Sequence, residues 1–385
     1  MSDRLILGGF EPFIGQHCET TALRRVLDYH RLSLSEEMLL GLGGGVGFIY
    51  WYMKLMPAPF VGGRYGKGSD FPLNIARRIG AEMSISETSS PKKGYAELKA
   101  LLASGEPAIV YGDMAYLPHV AVPEVAHFGG HVFVVFGLDE EMDEVYIYDR
   151  GRDPIMVSIS DLALARGSKF PPFPPRHRLL KIRCPQKIGD LKKGITESIQ
   201  ECCHHMLNPP IQNIGLAGMR KWAQMVTKWP QQFRGLDLVG TLLNGFMYIE
   251  IAGTGGSAFR TMYARFLDEA GPILNKPDLA EVAEMMRQSG RLWSDIATSF
   301  LPDDYPNLRE IRELCIEKNR LFEESEPGAL EAMHRINEQF SELLGKAAAD
   351  LRTPPAFLAE VSKRILKLRQ VEEETFLKLE SIVAT

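Results

Sequence analysis

The sequence predicts an α+β protein of two domains, in which a mixed domain over residues 1–185 precedes an all-α domain over residues 186–385. Three observations support this prediction. A chain of 385 residues is longer than one typical hydrophobic core accommodates. Runs rich in Val, Ile, Tyr and Phe alternate with helical patterns in the first part, whereas helical patterns alone fill the second. Four prolines in quick succession within KFPPFPPRHRLLKIRCP, at residues 169–185, separate the two parts, because proline cannot occupy a helix interior.

The first domain contains one helix and three strands that bear on function. The run after Cys18, ETTALRRVLDYH, predicts a helix with a buried face, to which Ala22, Leu23, Val26, Leu27 and Tyr29 are assigned. Three runs predict β-strands: PAIVYG at 107–112, HVFVVFGLD at 131–139 and EVYIYD at 144–149. Only EEMD separates the last two strands, so they are expected to form an antiparallel hairpin.

The second domain shows apolar residues three and four positions apart almost throughout, which is the spacing of amphipathic helices. Most prolines in this part fall between these stretches, as expected of residues that end helices. The longest stretch is a charged run from Leu308 to Leu351. The pattern predicts a bundle of roughly six or seven helices.

Charge, hydropathy and cysteine usage exclude several classes of protein. The formal net charge of −5 shows no sign of a nucleic-acid-binding protein. Apolar runs such as VFVVFGL are far shorter than the ~20 residues that a membrane span requires. The N-terminal MSDRLILGGFEPF lacks the apolar segment of a secretion signal, so a cytoplasmic location is expected. The five cysteines have no regular spacing and are expected to be free thiols, most of them buried.

Cys18 stands where the irregular segment GGFEPFIGQ gives way to the predicted helix. Unpaired backbone N–H groups and the positive end of the helix dipole favour an anion at a helix start, and the thiolate is the nucleophilic form of cysteine. Cys18 is therefore a candidate nucleophile. The alternative is a small buried residue that happens to begin a helix.

A nucleophilic cysteine needs a base, usually a histidine that a carboxylate or amide orients. His131 begins the first strand of the predicted hairpin and Asp149 ends the second, so the two residues are expected to be neighbours. The chain order Cys, His, Asp, with the cysteine on a helix and the others on strands, matches a papain-like arrangement. His127, His119 and His17 are alternative bases.

An acyl-transfer site also needs hydrogen-bond donors for an oxyanion. The backbone N–H of Cys18 is one candidate, and the side-chain amide of Gln16 is a second. A glycine cluster, AGTGGSAFRTMYARF at residues 252–266, is interpreted as a loop that reaches the cleft between the domains. There Gly253 and Thr254 would offer backbone N–H groups to an anion and Arg260 would lie on the first helical turn, although a tight bend between helices is the alternative.

Two further motifs are interpreted without a ligand. GLGGGVGFIYW at residues 41–51 lacks the Gly-Lys-Ser/Thr ending of a phosphate-binding loop and is expected to line the cleft. Its aromatic residues are expected to form either a wall for an acyl chain or part of a core. ECCHHM at residues 201–206 is assigned to helix packing, because adjacent helical residues point about 100° apart and cannot converge on one ion. No metal site and no cofactor are predicted.

Three stretches together resemble the butirosin biosynthesis acyltransferase (BtrH-like) family: the run HCETTALRRVLDYHRLSLSEEMLLGLGGGVGFIYW, GGHVFVVFGLD and YIYDRG. That family is itself similar to papain-like and bacteriocin-processing cysteine peptidases. The stretch EIAGTGGSAFRTMYARFLDEAG resembles the signature of the uncharacterised helical domain that often follows it. The resemblance implies a papain-like first domain with Cys18 as acyl acceptor, His131 as base and Asp149 as orienting acid.

The resemblance also implies a reaction. The member that gives the family its name transfers an acyl group from an acyl carrier protein thioester to an amine of an aminoglycoside. We therefore expect a cysteine-dependent acyltransferase with a small-molecule amine acceptor and an acyl carrier protein or similar donor. A peptidase or amidase with the same residues and an inactive binding module are the alternatives. The amphipathic helices of the second domain make a homodimer conceivable.

Overall fold

The computed structural model describes residues 4–53, 56–64, 66, 69–123, 126–324, 326–351 and 355–384. The chain forms two compact units. Unit 1 consists of Met1–Leu39, Ile79–Gly189 and Lys318–Asn337, and unit 2 consists of Leu40–Arg78, Asp190–Glu317 and Glu338–Thr385. The units are thus interleaved along the chain and are not the continuous stretches 1–185 and 186–385. Packing decides which segments share a core, and a segment distant in sequence can supply the required apolar face.

Nine described strands and fourteen described α-helices make up the two units, and the structure is α+β as predicted. The strands are β1 Arg4–Ile6, β2 Ile49–Trp51, β3 Phe60–Gly62, β4 Glu82–Ser86, β5 Ala108–Gly112, β6 His131–Asp139, β7 Glu144–Tyr148, β8 Ile155–Ser158 and β9 Leu179–Arg183. The helices are α1 Cys18–Tyr29, α2 Glu36–Leu42, α3 Asp70–Ile79, α4 Pro91–Ala103, α5 Ile159–Gly167, α6 Lys192–Leu207, α7 Gly215–Val226, α8 Trp229–Gln232, α9 Leu236–Glu250, α10 Arg260–Leu274, α11 Leu279–Phe300, α12 Pro306–Glu324, α13 Ala329–Asp350 and α14 Phe357–Ala384.

Unit 1 is built on an antiparallel sheet of seven described strands in the order β4-β9-β5-β6-β7-β8, with β1 also paired to β6. The predicted hairpin is confirmed, since β6 pairs with β7 from Asp139 opposite Glu144 to Val134 opposite Tyr148. A β-bulge between Val135 and Gly137 changes the register within this pair. β6 is buried along its whole length, so it forms the centre of the unit 1 core.

The apolar face predicted for α1 is confirmed for four of its five residues. Ala22, Leu23, Val26 and Leu27 are all buried, and the helix packs against β6 and β5. Tyr29 is only half-buried, and its hydroxyl donates to the carbonyl of Gly105 at 2.8 Å. Three polar residues, Thr20, Thr21 and Arg25, are buried as well, which amphipathic periodicity does not predict. Hydrogen bonds explain their burial: both threonines donate to Glu36, and Arg25 donates to backbone carbonyls, including that of Gly151.

Unit 2 is mostly helical and also contains the β2-β3 pair. From Lys192 onward the described residues form nine α-helices, more than the predicted six or seven. One reason is that the charged run from Leu308 to Leu351 is two helices, α12 and α13, separated near Gly328, whose φ of +83° suits glycine. Trp222, Trp229 and Trp293 are buried in the core of this unit.

Candidate functional site

Cys18 is the first residue of α1, as predicted. His17 precedes it in an extended conformation, with φ −133° and ψ 127°, so the helix begins abruptly at the cysteine. The backbone N–H of Cys18 has no acceptor among the described residues, as expected for the first turn of a helix. The thiol is half-buried, so its sulfur combines access to solvent with a nearby free amide.

A buried carboxylate shapes the chain that leads into Cys18. Glu36, only 1 % exposed, accepts hydrogen bonds from the side-chain hydroxyls of Thr20 at 2.8 Å and Thr21 at 2.7 Å. It also accepts the backbone N–H groups of Gln16 at 3.0 Å and His17 at 3.3 Å. Glu36 therefore holds the segment before the cysteine against the first turn of α1.

Replacing Glu36 by glutamine is expected to loosen this start of α1. Glutamine has one acceptor oxygen in place of two, so its NH₂ group faces a hydrogen-bond donor that has lost its acceptor. We expect the free energy of local unfolding to fall by about 2 kcal/mol. Hydrogen exchange of the peptide over residues 17–30 should then be roughly 30-fold faster. Glu37→Gln is the matched control, because half-buried Glu37 accepts the Gln16 side-chain amide rather than the backbone of the cysteine segment. Equal acceleration in both variants would contradict the role of Glu36.

His131 and Asp149 lie together, as the hairpin predicted. The Nε2–H of His131 donates to Oδ2 of Asp149 at 2.6 Å, and both side chains are almost completely buried. The Cys18 thiol lies close enough to the His131 ring to help raise the pKa of the imidazole. Because Nε2 is used by Asp149, Nδ1 is the ring nitrogen left for the sulfur. His131 thus lies between the Asp149 carboxylate, to which it is hydrogen-bonded, and the Cys18 thiol.

Electrostatics favour the charged form of the imidazole. Burial alone lowers the pKa of His131, but the charge of Asp149 and hydrogen bonds to Asp149 and Cys18 raise it to about 10. For Asp149, burial raises the pKa, yet the His131 charge and hydrogen bonds from His119 and His131 hold it well below its usual range. An imidazolium beside a thiol stabilises the thiolate.

The β-bulge decides that these two side chains share a face of the sheet. Residues directly opposite in an antiparallel pair point to the same face, and so do alternate residues of one strand. Beyond the bulge, Val134 lies opposite Tyr148, so continuing this register sets Asp149 opposite Phe133, two residues from His131. Without the extra residue, Asp149 would lie opposite Val134 and point to the other face.

Asp149 has a second and a third donor that the sequence did not indicate. The Nε2–H of His119 also donates to Oδ2, at 3.0 Å, and the backbone N–H of Arg150 donates to Oδ1 at 2.7 Å. The turn after Asp149 is held by Arg25, whose guanidinium donates to the carbonyl of Gly151 at 2.8 Å. The LPHV context of His119 contains no signal for this contact, because the contact depends on how the loop folds over the sheet.

The other two histidines considered as bases have different partners. His127 donates through Nδ1 to Asp113 at 2.9 Å, and its ring stacks on Phe170 with 3.4 Å between centroids. His17 lies 3.7 Å from Glu19. His131 is thus the base candidate linked to both Cys18 and Asp149.

The side-chain amide of Gln16, predicted to be an oxyanion donor, has a partner within the protein. Its Nε2 donates to Oε1 of Glu37 at 3.1 Å, so the amide is already engaged. The reason is that Glu36 draws the backbone of this segment toward α2, which also brings the neighbouring carboxylate of Glu37 to Gln16.

The residues of the predicted ligand loop in unit 2 have hydrogen-bond partners within the protein. Arg260 is fully buried and donates to Glu372 through Nε at 2.8 Å, as well as to the carbonyls of Gly47 and Gly63, each at 2.9 Å. Thr254, also buried, donates to the carbonyl of Ile249 at 2.8 Å. The N–H of Gly253 donates to the carbonyl of Ile251 at 2.6 Å, in a turn with φ +67°. The glycine-rich turn therefore serves the bend between α9 and α10, the alternative reading of this motif.

The two remaining motifs also lie in unit 2. Phe48 and Tyr50 are buried core residues: Phe48 packs 5.5 Å from Trp222, and Tyr50 accepts the indole N–H of Trp229 at 3.2 Å. Cys202 and Cys203 are fully buried, in agreement with their assignment to packing. The described part of the chain contains no group of three His, Cys, Asp or Glu side chains suited to a metal ion.

Comparison with protein families is consistent with this architecture. Residues 17–150 match the family model of the butirosin biosynthesis protein H N-terminal domain. Cys18, His131 and Asp149 lie within this matched range. Residues 160–317 match a domain of unknown function, DUF4872. The chain has the BtrH-like architecture. No match was found among curated proteins. None of the described helices of this BtrH-like protein has an apolar stretch long enough to cross a membrane.

Proposed function

We propose that this BtrH-like protein is a cysteine-dependent acyltransferase with a papain-like catalytic domain, in which Cys18 carries the acyl group between a thioester donor and an amine acceptor. The observation that supports this most directly is the hydrogen-bonded pair of His131 and Asp149 beside the Cys18 thiol, which lies at the start of α1. The family match adds a biosynthetic, acyltransferase-like role. The helix-borne cysteine and the strand-borne histidine, with the aspartate directly after a strand, agree with the papain-like arrangement.

The first half of the reaction transfers the acyl group to the enzyme. The Cys18 thiolate attacks the thioester carbonyl, and the free N–H of Cys18 is placed to donate to the oxyanion that forms. The oxyanion then collapses and breaks the bond to the donor sulfur, and the donor thiolate takes the proton from the His131 imidazolium as it leaves. The products are an acyl-Cys18, neutral His131 and a free donor thiol.

The second half returns the enzyme to its starting state. The neutral amine of the acceptor attacks the acyl-Cys18 carbonyl and gives its proton to His131. The Cys18 thiolate leaves as the amide forms, so the thiolate and imidazolium are restored together. Asp149 fixes the His131 ring in both halves and stabilises its charge.

The test is the mass of the intact protein after incubation with a small acyl thioester. Wild type should gain one acyl group, and Cys18→Ala should gain none. Cys184→Ala is the matched control. Burial raises the pKa of the half-buried Cys184 thiol to about 11, so Cys184 should remain unacylated and this variant should gain one acyl group like wild type. Added amines should then discharge the acyl group at least 10-fold faster than buffer alone.

The outcomes separate the candidate functions. Acylation of Cys18 with discharge that amines do not accelerate would indicate a hydrolase with water as acceptor. Equal acylation of wild type and Cys18→Ala would overturn the assignment of the nucleophile. A wild-type Cys18 that neither acylates nor alkylates faster than an ordinary thiol would favour an inactive binding module.

A further inference from the structure

Two imidazoles share one carboxylate oxygen in unit 1. His131 and His119 both donate through Nε2 to Oδ2 of Asp149, at 2.6 Å and 3.0 Å. With the backbone N–H of Arg150 on Oδ1, three donors hold this buried carboxylate in one orientation. The catalytic steps proposed above use His131 alone, so His119 has no assigned role in them.

His119 is held in place by residues far along the chain. It lies in a single turn, Pro118–Val120, and its ring stacks on Phe322 of α12, with 6.2 Å between centroids and 19° between planes. The next residue, Ala121, has a left-handed φ of 51°. A left-handed alanine is strained and needs support from its surroundings.

That support comes from two side chains that donate to the carbonyl of Ala121. The carbonyl of Ala121 accepts the Nζ of Lys318 at 2.8 Å and the Nδ2 of Asn337 at 2.6 Å. Lys318 and Asn337 are also joined to each other at 2.6 Å. Residues at both ends of segment 318–337 are therefore hydrogen-bonded to the turn that carries His119.

Segment 318–337 also supports the turn beside Asp149. The guanidinium of Arg150 donates to Glu323 at 3.1 Å and to Asn319 at 3.2 Å, and it lies 5.0 Å from the centre of the Phe322 ring. The segment belongs to unit 1, yet it lies outside both family matches, which end at residues 150 and 317. The support of this site thus includes a part of the chain that neither family model covers.

We propose that His119 is a positioning residue of the Cys18 site, which with segment 318–337 locks the Asp149 carboxylate so that it aims the His131 ring at the cysteine. This inference rests on the proposed function. The physical reason is that a buried carboxylate with only two donors can rotate, whereas a third donor on the shared oxygen removes that freedom. Partners that orient a functional histidine typically contribute about 10-fold to 100-fold to activity.

The experiment measures alkylation of Cys18 by iodoacetamide at pH 6, followed by peptide mass spectrometry, and needs no acyl substrate. His119→Phe keeps an aromatic ring against Phe322 but removes the donor, and we expect alkylation about 10-fold slower than in wild type. His119→Gln is the matched control, because its amide N–H can take the place of Nε2–H, and we expect it within about threefold of wild type. Asn337→Asp, which removes the donor to Ala121, should slow alkylation in the same direction and serves if His119→Phe does not fold.

Each outcome bears on one proposal or on both. If His119→Phe alkylates as fast as wild type, or if His119→Gln is as slow as His119→Phe, the positioning role is overturned while the acyltransferase proposal stands. If wild-type Cys18 alkylates no faster than an ordinary thiol at pH 6, there is no activated cysteine to position and both proposals fall. Slow alkylation in His119→Phe together with near-wild-type alkylation in His119→Gln supports the role. Phenylalanine keeps the ring against Phe322 and glutamine keeps only the donor, so this result would show that the donor matters rather than the packing.

Discussion

Asp149→Asn is expected to lower the rate of Cys18 acylation on the order of 10³-fold. An asparagine amide can donate to His131 Nε2, which stabilises the tautomer with its proton on Nδ1. That tautomer presents an N–H to the sulfur and cannot accept the thiol proton. Loss of the carboxylate also leaves burial unopposed, so the pKa of His131 falls and the imidazolium that stabilises the thiolate disappears. Single-turnover acylation by a small thioester measures the effect.

Asp153→Asn is the matched control for charge, because Asp153 is exposed four residues further along the same turn. It should acylate at the wild-type rate. If Asp149→Asn lost less than about 10-fold, the carboxylate would not be orienting the base.

The same ion pair predicts a pH window for stability. Because the pKa of His131 is raised from 6.5 to about 10, its contribution is fully present below pH 6.5 and is lost as the pH rises through about 10. Because the pKa of Asp149 is depressed, its contribution is present above its ordinary value of 3.8 and is lost as the pH falls below it. Both contributions are fully present only between pH 3.8 and pH 6.5. The free energy of unfolding of Asp149→Asn should therefore fall furthest below that of wild type near pH 5, and the difference should be smallest above pH 10.

Glu372→Gln is expected to destabilise unit 2 by about 3–5 kcal/mol. Oε1 of Glu372 accepts from Arg260 at 2.8 Å, Ser289 at 2.8 Å and Trp293 at 2.7 Å, and Oε2 accepts from Arg260 at 3.0 Å. Glutamine leaves the buried guanidinium without a counter-charge and places an amide against one of its donors. The measurement is urea unfolding followed by tryptophan fluorescence, since all four tryptophans lie in unit 2.

Glu360→Gln is the matched control on the same helix. Its side chain is 55 % exposed and pairs with Lys363 at 3.4 Å, so the loss should stay under about 1 kcal/mol. A similar small loss in Glu372→Gln would show that the buried pair contributes little. In that case the hypothesis that Arg260 stabilises unit 2 through Glu372 would lose its main support.

Local sequence patterns were sufficient for the elements that carry the candidate site. The periodicity after Cys18 predicted α1 and its buried face, and the Val-rich and Tyr-rich runs predicted the β6-β7 hairpin. From those elements alone, Cys18 was expected at a helix start and His131 near Asp149. Their catalytic roles stay a prediction.

Other parts of the site depend on features that a local pattern does not encode. The bulge between Val135 and Gly137 decides the face of the sheet to which Asp149 points, and HVFVVFGLD reads as one regular strand. For a related reason, the sequence did not indicate the carboxylate partners of Gln16 and Arg260. A polar residue near a glycine-rich turn looks the same whether it faces a ligand or a buried carboxylate such as Glu37 or Glu372.

The sequence by itself determined the α+β class, the helix start at Cys18 and the hairpin that joins His131 to Asp149, because periodicity and turn residues act over a few neighbouring positions. Only the tertiary structure decided that His119 shares Asp149 and that segment 318–337 belongs to unit 1. These contacts join residues that lie from 30 to more than 200 positions apart. Such contacts form when distant apolar faces and buried polar groups find partners in one core, and no short stretch of sequence contains that information.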